Sequence, residues 1–170
     1  YNGADAQMRT INNNPNVSCP NANWNGVTAN YCNGTASDDV IAHEWGHAYT
    51  EYTSGLIYAY QSGAMNEAFS DIWGETVDLL NNYQDADDDH SLRTACNSSD
   101  RWRMGDDATA FGGAIRDMWN PPCNGDPGKL TDGQFYCGEG DGGGVHSNSG
   151  IPNHAYALLV DGGTYNGQTI

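Results

Sequence analysis

The apolar residues in the central part of the chain recur at helical spacing. In the first such segment, Ser37 or Asp38 can cap a helix whose first turn is acidic, and the TSG run at 53–55 ends it. The apolar and aromatic positions between them are Val40, Ile41, Trp45, Ala48 and Tyr52. The pattern predicts a helix over about residues 38–52.

A second helix is predicted from about Ala64 to Asn81, directly after Ser62 and Gly63. The residues predicted to form its buried stripe are Met65, Phe69, Ile72, Trp73, Val77 and Leu80. These two long helices follow a segment without such a pattern, and the length of 170 residues fits one domain.

Outside these helices the sequence is rich in Asn and Gly. Residues 1–36 read as loops and short edge strands, and residues 84–101 show no periodicity, which indicates an ordered or metal-bound loop. Residues 107–119 are predicted to form a short helix that the NPPCNG run ends. A last helix is predicted to begin near Ile151 or Pro152 and to stop at DGG, and no internal repeat is found.

The charge balance narrows the class of partner. The chain has 22 acidic and six basic residues and a net charge of −16, which disfavours binding to nucleic acid or to an anionic membrane surface. No run of 18 apolar residues is present, and residues 1–10 lack the apolar core of a signal peptide. The acidic run DADDDH at 85–90 indicates either a solvated loop or a bound hard cation.

The five cysteines contain no CxxC pair, so a zinc-thiolate site is not indicated. Their wide spacing in polar loops favours disulfides and an oxidising, extracellular or periplasmic setting. We expect Cys19 to pair with Cys32 and Cys123 with Cys137, which leaves Cys96 free or paired elsewhere. Free thiols throughout are the alternative.

The most informative stretch is HEWGH at 43–47 in the first predicted helix. Residues i and i+4 share one helix face, so His43 and His47 can direct ring nitrogens at one metal ion. Glu44 lies one residue round from that line, where it can reach a metal-bound water. This is the HExxH pattern of zinc proteases, and two ordinary histidines are the plain alternative.

The second predicted helix supplies the remaining ligand. Glu67 and Asp71 stand at i and i+4, and a catalytic zinc commonly takes three protein ligands. We expect Glu67 to be the third ligand and Asp71 to accept the other ring N–H of a ligand histidine. A solvated acidic face is the alternative, but the apolar neighbours of this pair argue for burial.

These motifs resemble those of the thermolysin family of secreted zinc endopeptidases. The resemblance rests on the run from HEWGH to MNEAFSDIWG, with 19 residues between His47 and Glu67, on NANWNG at 21–26, and on GGVHSNSG at 143–150. It implies the α+β, thermolysin-like (gluzincin) fold, in which the HExxH helix packs on the second, ligand-bearing helix. It also implies that the chain is a fragment or trimmed core of the family's catalytic domain.

Carried over residue by residue, the resemblance assigns a role to each matching position. Zinc would lie on His43, His47 and Glu67, with Glu44 as the general base and Asp71 supporting His43. Tyr58 and His146 would stabilise the oxyanion, and Asp141 would orient His146. The residues implied to hold the substrate main chain are Asn21, Ala22 and Arg116.

Some of these positions have plain alternatives. Tyr58 can be a packed aromatic residue, His146 a structural one, and Arg116 the partner of Asp117 or of a carboxylate at the calcium site. The two remaining histidines have no predicted role: His90 is expected to be solvated, and His154 to lie on the surface or to be packed.

The resemblance also implies bound calcium, on Asp39, Asp78 and Asp106. Arg103 stands where the family has a carboxylate, and residues 85–101 form an insertion. The site is therefore expected to be reduced to one calcium ion, or to be rebuilt from the insertion residues Asp85, Asp87 and Asp89.

The resulting hypothesis is a secreted, monomeric zinc endopeptidase that acts on peptides or proteins and prefers a hydrophobic residue on the amine side of the cut. Within one core over 1–170 we expect a substrate-edge region at 1–36, the zinc helices at 37–83, calcium and disulfide loops at 84–145, and a truncated C-terminal part at 146–170. Two alternatives stay open: a zinc exopeptidase, and a non-catalytic calcium-binding module.

Overall fold

The computed structural model describes residues 7–81, 88–165 and 168–170. Its first element is a small sheet in which β1 (Thr10–Asn12) lies parallel to β3 (Ala29–Tyr31), and β2 (Ala22–Trp24) pairs antiparallel with the other side of β3. Because the strand order is β1-β3-β2, β2 is an edge strand. The sequence prediction of loops and short edge strands in this region is confirmed.

Two long helices form the centre of the fold. They are α1 (Asp38–Glu51) and α2 (Tyr60–Leu80), which start at or near the predicted residues and end within one residue of them. After them come the two-stranded ladder of β4 (Arg103–Met104) and β5 (Arg116–Asp117), a 3₁₀ turn (Pro121–Asn124), α3 (Asp141–Asn148), α4 (Gly150–Asp161), and the ladder of β6 (Thr164–Tyr165) and β7 (Gln168–Thr169). No helix of this described part is long and apolar enough to span a membrane.

Small residues bring α1 and α2 close together. A Cβ placed on Gly46 would lie 2.8 Å from the Cα of Ser70, and one placed on Gly74 would lie 2.7 Å from the carbonyl oxygen of Asp39. Both distances are shorter than a side chain tolerates, so glycine is required at the two crossing points. This close approach lets polar groups on α2 reach groups on α1.

The same close approach overturns the predicted buried stripe of α2. Five of the six predicted stripe residues are exposed by 37–70%, and Ile72 is half-buried: Met65, Phe69, Trp73, Val77 and Leu80 are the exposed ones. The buried face is made instead of small residues and carboxylates, including Ala64, Ala68, Glu67, Asp71 and Glu75. The helical spacing of apolar residues predicted the helix correctly but not its buried face. The face with small residues is buried because it allows the closer approach to α1.

The prediction of a helix over residues 107–119 is wrong. Turns occupy most of this segment, Arg116 and Asp117 form β5, and Gly112 and Gly113 have φ values of 76° and 138°. Positive φ at two successive residues is incompatible with a right-handed helix. The last helix, α4, is confirmed, while α3 was not predicted from the sequence; Gly142, Gly143 and Gly144 inside it have positive φ.

Two disulfides tie loops to the core. Cys19 pairs with Cys32 as predicted. The predicted Cys123–Cys137 bond is wrong, because Cys123 pairs with Cys96 and Cys137 is free and exposed. The buried ion pair of 2.7 Å between Arg93 and Asp117 folds the loop before Cys96 onto the region of Cys123, which sequence spacing does not reveal.

Candidate active site

Three side chains from α1 and α2 converge on one point. The Nε2 atoms of His43 and His47 lie 3.0 Å apart, and the carboxylate oxygens of Glu67 lie 3.5 Å from the first and 3.2 Å from the second. Ligands at 2.0–2.1 Å from a tetrahedral ion would stand about 3.3 Å from one another. The spacing of these three predicted ligands therefore fits zinc.

A side-chain oxygen lies close to the other ring nitrogen of each histidine. His43 Nδ1 lies 2.8 Å from Asp71 Oδ1, and His47 Nδ1 lies 2.7 Å from Asn66 Oδ1. Asn66 is fixed in turn because its Nδ2 donates to the carbonyl oxygen of Leu56 at 3.2 Å. Such contacts hold the ring orientation and leave both Nε2 atoms facing the metal position.

Asp71 is the centre of a buried polar network. Arg116 donates to both of its oxygens, at 2.7 and 2.6 Å, and Asn153 Nδ2 donates to Oδ2 at 2.7 Å. Burial alone would raise the pKa of Asp71, but the Arg116 guanidinium and the His43 ring lower it to about 2. Asp71 is therefore ionised at neutral pH, while Asp117, the alternative partner considered for Arg116, pairs with Arg93.

The electrostatics of Glu67 follow the same rule. Burial would raise its pKa, yet the hydrogen bond from His47 and the charges of His43, His47 and Arg116 hold it well below its usual range. Among the described residues, Glu67 Oε2 nevertheless finds no hydrogen-bond donor. A buried, ionised oxygen without a donor next to two imidazole nitrogens is a donor set that a divalent cation would complete.

Glu44 lies beside this cluster at the base of a pocket. The side chain is buried, and its Oε2 also lacks a hydrogen-bond donor in the described part of the chain. Burial raises the pKa of Glu44, although the neighbouring His43 and His47 oppose the shift. A buried carboxyl with a raised pKa suits proton transfer.

Three further residues with predicted catalytic roles, Tyr58, His146 and Asp141, lie next to one another beside Glu67. Tyr58 O–H donates to Glu67 Oε1 and lies 3.2 Å from His146 Nε2. His146 Nδ1 lies 2.6 Å from Asp141 Oδ1, and the His146 backbone N–H donates to Asp141 Oδ2 at 3.0 Å. Asp141 thus orients His146, and the two exposed rings border the pocket rather than the core.

The pocket has a volume of about 880 Å³ and follows the face of α1. Asn21 and Ala22 line it from the edge strand β2 and the residue before it, and Arg116 lines it from β5. One end is apolar and is formed by Val40, Met104, Phe111 and Ile115. All of the predicted zinc, catalytic and substrate residues except Asp141 line this one space, with Asp71 behind it.

A family profile described as the thermolysin metallopeptidase, alpha-helical domain, matches residues 54–170. The chain is 40% identical over 166 residues to the zinc metalloproteinase of Renibacterium salmoninarum, and 39% identical over 158 residues to bacillolysin of Brevibacillus brevis. The two alignments cover 89% and 86% of this chain. The chain belongs to the thermolysin family.

A solved structure supports the same conclusion for the fold. The precursor of protealysin, a metalloproteinase from Serratia proteamaculans, matches 81% of this chain with a TM-score of 0.57 and 28% identity. The α+β thermolysin-like fold predicted from the sequence is confirmed. The chain spans 27% and 26% of the two curated relatives and 45% of the protealysin precursor chain.

Two residues of this thermolysin-family site were missed from the sequence. Asn66 supports His47, and Asn153 supports Asp71. Asn66 directly precedes Glu67, and Asn153 interrupts the apolar run of α4, so a search for polar residues in otherwise buried helix faces would have found both.

A second cluster of acidic residues lies at the end of the helix pair where α1 begins and α2 finishes. Carboxylate oxygens of Asp38, Asp78 and Asp107 lie within 4.8 Å of one another. The predicted ligands Asp39 and Asp106 are sequence neighbours of this group, and Asp39 accepts hydrogen bonds from Ser37, Val40 and Gly105. The three mutually closest oxygens therefore come from a set that overlaps the predicted one only at Asp78.

Burial and electrostatic repulsion act together on this acidic cluster. Burial, followed by the charges of neighbouring aspartates, raises the pKa of Asp78 to about 7 and that of Asp106 to about 8. Arg103 is engaged by Asp100 at 3.0 Å. His90, predicted to be solvated, is instead largely buried and lies 3.3 Å from Asp78. Asp85 and Asp87, the proposed insertion ligands, lie outside the described residues.

His154 has the structural role that the sequence suggested. It is buried in α4, and its Nδ1 lies 2.7 Å from the carbonyl oxygen of Trp119. Burial lowers the pKa of its ring. His154 is therefore one of the packed residues that join α4 to the β5 region and not part of the metal cluster.

Proposed function

We propose that this chain is the catalytic core segment of a secreted zinc endopeptidase. The observation that carries the proposal is the convergence of His43, His47 and Glu67, at the spacing of a tetrahedral site, with Glu44 beside them in an open pocket. Two disulfides support an oxidising, extracellular setting. Peptides or proteins are the proposed substrates, and a monomer is the proposed state.

In this proposal His43, His47 and Glu67 hold the zinc ion. When bound, zinc lowers the pKa of water towards about 7 and polarises a carbonyl oxygen. Asp71 and Asn66 hold the two imidazoles with Nε2 facing the ion. Their role is positional, since a ligand that rotates away weakens metal binding.

Glu44 takes the proton of the attacking water and then passes it to the leaving amine. One carboxylate can perform both transfers because they occur in sequence. Tyr58 O–H and the His146 ring, oriented by Asp141, donate to the oxygen of the scissile carbonyl as negative charge develops there. The loss of one such donor usually lowers the rate about 10²–10³-fold.

The substrate main chain is proposed to add to the free edge of β2 at Asn21 and Ala22. Strand addition supplies main-chain hydrogen bonds without regard to side chains, and the pockets beside it select the sequence. The apolar pocket end at Val40, Met104, Phe111 and Ile115 supports the proposed preference for a hydrophobic residue on the amine side of the cut.

We propose that calcium occupies the acidic cluster. Asp38, Asp78 and Asp107 offer oxygen ligands within 4.8 Å of one another, and Asp39 and Asp106 flank them. Hard cations prefer oxygen ligands, and a cation would relieve the mutual repulsion of these carboxylates. Its role would be structural, because Asp38 and Asp78 lie where α1 begins and α2 ends, away from Glu44 in the middle of α1.

The substitution Glu44→Gln tests the catalytic proposal. We expect hydrolysis of an internally quenched peptide with both ends blocked to fall at least about 10²–10⁴-fold, because the general base is lost, while zinc content stays near one ion per chain. Cleavage of this end-blocked peptide by the wild-type protein also separates an endopeptidase from an exopeptidase.

Glu139→Gln is the matched control, since Glu139 is exposed and does not line the pocket. It should retain wild-type hydrolysis and zinc content. Full activity of Glu44→Gln would show that the water is activated in another way, and a zinc-loaded wild-type protein without activity would favour the non-catalytic alternative.

A further inference from the structure

The two ends of the pocket differ in chemistry. Beyond the apolar end at Val40 and Met104, the zinc ligands occupy the middle, and the opposite end is lined by Trp24, Asn25, Gly26 and Glu51. Val40, His43, His47 and Glu51 follow one face of α1 at three- and four-residue spacing. The pocket therefore runs parallel to α1, from an apolar end to an end that carries a carboxylate.

The orientation of Glu51 is fixed by the edge strand. Trp24 Nε1 donates to Glu51 Oε2 at 2.6 Å. The Trp24 ring packs against the Trp45 ring, with the two ring centroids 5.6 Å apart. The other oxygen, Oε1, lies near Gly26; a Cβ at Gly26 would be 3.8 Å from it. One oxygen is thus held by β2, and the other faces a stretch where glycine leaves room.

No cation of the protein neutralises this carboxylate in the part of the chain that the structure describes, since none of the ion pairs found there includes Glu51. The net charge of −16 adds to the negative potential of the cleft. Trp24 and the half-buried Leu56 provide apolar surface beside it. A long alkyl side chain with a terminal positive charge matches both features.

The distance along α1 between the metal position and Glu51 indicates which substrate residue Glu51 would contact. The metal position lies level with about residue 45, so Glu51 stands about 9 Å further along the helix axis. An extended peptide advances about 3.3 Å per residue, so this distance corresponds to two or three residues. Because the apolar end is proposed to receive the residue on the amine side of the cut, Glu51 faces the acyl side.

We propose that Glu51 selects a lysine or arginine two or three residues before the scissile bond. The inference rests on the proposed endopeptidase function and narrows its substrate class to peptides with a basic residue upstream and a hydrophobic residue directly downstream of the cut. The ammonium or guanidinium group pairs with Oε1 of Glu51, and its alkyl stem lies along Trp24 and Leu56.

The test uses end-blocked quenched peptides that share a hydrophobic residue after the cut and differ only by Lys, Gln or Glu at each of the two upstream positions. We expect kcat/KM for the Lys peptide to exceed that for the Gln peptide by about three- to fivefold at one of these positions, because exposed ion pairs contribute modestly. The Glu peptide should be slower than the Gln peptide. Raising the salt concentration from 0.05 to 0.5 M should reduce the ratios, since the pairing is electrostatic.

Glu51→Gln should abolish the Lys-to-Gln ratio, because glutamine keeps an oxygen for Trp24 but removes the charge. The exposed control Glu139→Gln should leave the ratio unchanged. A ratio of one in the wild-type protein, or an unaltered ratio in Glu51→Gln, would overturn the proposal. A uniform loss on every peptide would show that Glu51 only holds Trp24 in place, which also overturns it.

Binding separates this inference from the proposed function. The same peptides can be titrated against zinc-loaded Glu44→Gln protein, with affinity as the readout. A Lys-to-Gln affinity ratio of about three to five is expected even when no peptide bond is cut. Absence of hydrolysis by the wild-type protein, with this affinity ratio intact in Glu44→Gln, would reject the enzyme and keep the site, whereas hydrolysis by the wild-type protein without any ratio would reject the site and keep the enzyme.

Discussion

The α1–α2 pair buries carboxylates at two levels, in its middle beside the proposed zinc position and at the end where α1 begins and α2 finishes, but the protein treats the two groups in opposite ways. At the middle level, Asp71 is bonded by Arg116 and Asn153, and its pKa is lowered to about 2. At the end level, the pKa of Asp78 is raised to about 7 and that of Asp106 to about 8. Burial pushes all three upwards, so the difference lies in whether a positive partner is built into the fold.

The comparison shows which group of carboxylates has positive partners within the chain. Arg116 and two histidines offset Glu67 and Asp71 within the chain itself. In the acidic cluster, Arg103 is engaged by Asp100, and buried Glu75 has its pKa raised well above the usual range, first by burial and then by Asp39 and Asp78. Four predictions test this contrast.

The largest expected effect comes from removing Arg116, the positive partner of Asp71. Arg116→Met leaves Asp71 buried without its guanidinium partner, so we expect the free energy of unfolding to fall by about 3–5 kcal/mol. Urea denaturation of the zinc-loaded protein measures this. Arg103→Met, at the acidic cluster, is the control: its pair with Asp100 is partly exposed, and its loss should cost less than about 1 kcal/mol. Equal costs would contradict the contrast.

The next effect is the stabilisation of the acidic cluster by calcium. A ligand present at 100 times its Kd stabilises the folded state by about 2.7 kcal/mol. We expect calcium to raise the free energy of unfolding by about this amount in the wild-type protein and by much less in Asp78→Asn. Glu139→Gln should respond as the wild type does. If Asp78→Asn gains as much from calcium as the wild type, the ion binds elsewhere.

A smaller effect is expected from the amide that supports Asp71. Asn153→Ala removes one donor from a buried carboxylate, which should cost about 1–3 kcal/mol and weaken zinc retention about 10–100-fold. The rate of zinc transfer to a chromogenic chelator measures retention. Asn97→Ala, at an exposed loop position, is the control. Zinc release at the wild-type rate would mean that Arg116 alone holds Asp71.

The smallest effect is the pH dependence of the calcium-free protein. Because the folded pKa values of Asp78 and Asp106 are raised, their contribution to stability is full below the ordinary pKa near 4 and is lost as the pH rises through 7 and 8. We expect Tm to fall by about 2–4 °C between pH 5 and 9, which corresponds to about 1 kcal/mol for a chain of this size.

Calcium should remove this fall, because the ion replaces the bound protons. Asp71 gives the opposite sign: its pKa is lowered, so its contribution is present above the ordinary pKa near 4 and is lost as the pH falls towards 2. Thermal melts with and without calcium separate the two. A Tm that rises from pH 5 to 9 without calcium would contradict the assignment of repulsion to the acidic cluster.

The proposed zinc site could be recognised in the sequence because its residues follow local rules. His43 and His47 lie on one helix face at i and i+4, and Glu67 and Asp71 repeat that spacing on the next helix. Helical spacing survives any tertiary arrangement, so these four could be placed from the sequence. Asn153 stands out in the sequence as a polar residue in an apolar run, but its partner could not be assigned, because Asp71 lies 82 residues away and is reached only through the packing of α4.

The sequence by itself determined the two central helices, the candidate zinc ligands on their faces, and the acidic, disulfide-forming character of the loops. The tertiary structure decided which face of α2 is buried, because glycine at positions 46 and 74 allows a helix approach that only small and polar side chains fit. It also decided the Cys96–Cys123 pairing and the opposite pKa shifts of the two carboxylate clusters. These depend on distances between residues far apart in the chain, which no local pattern records.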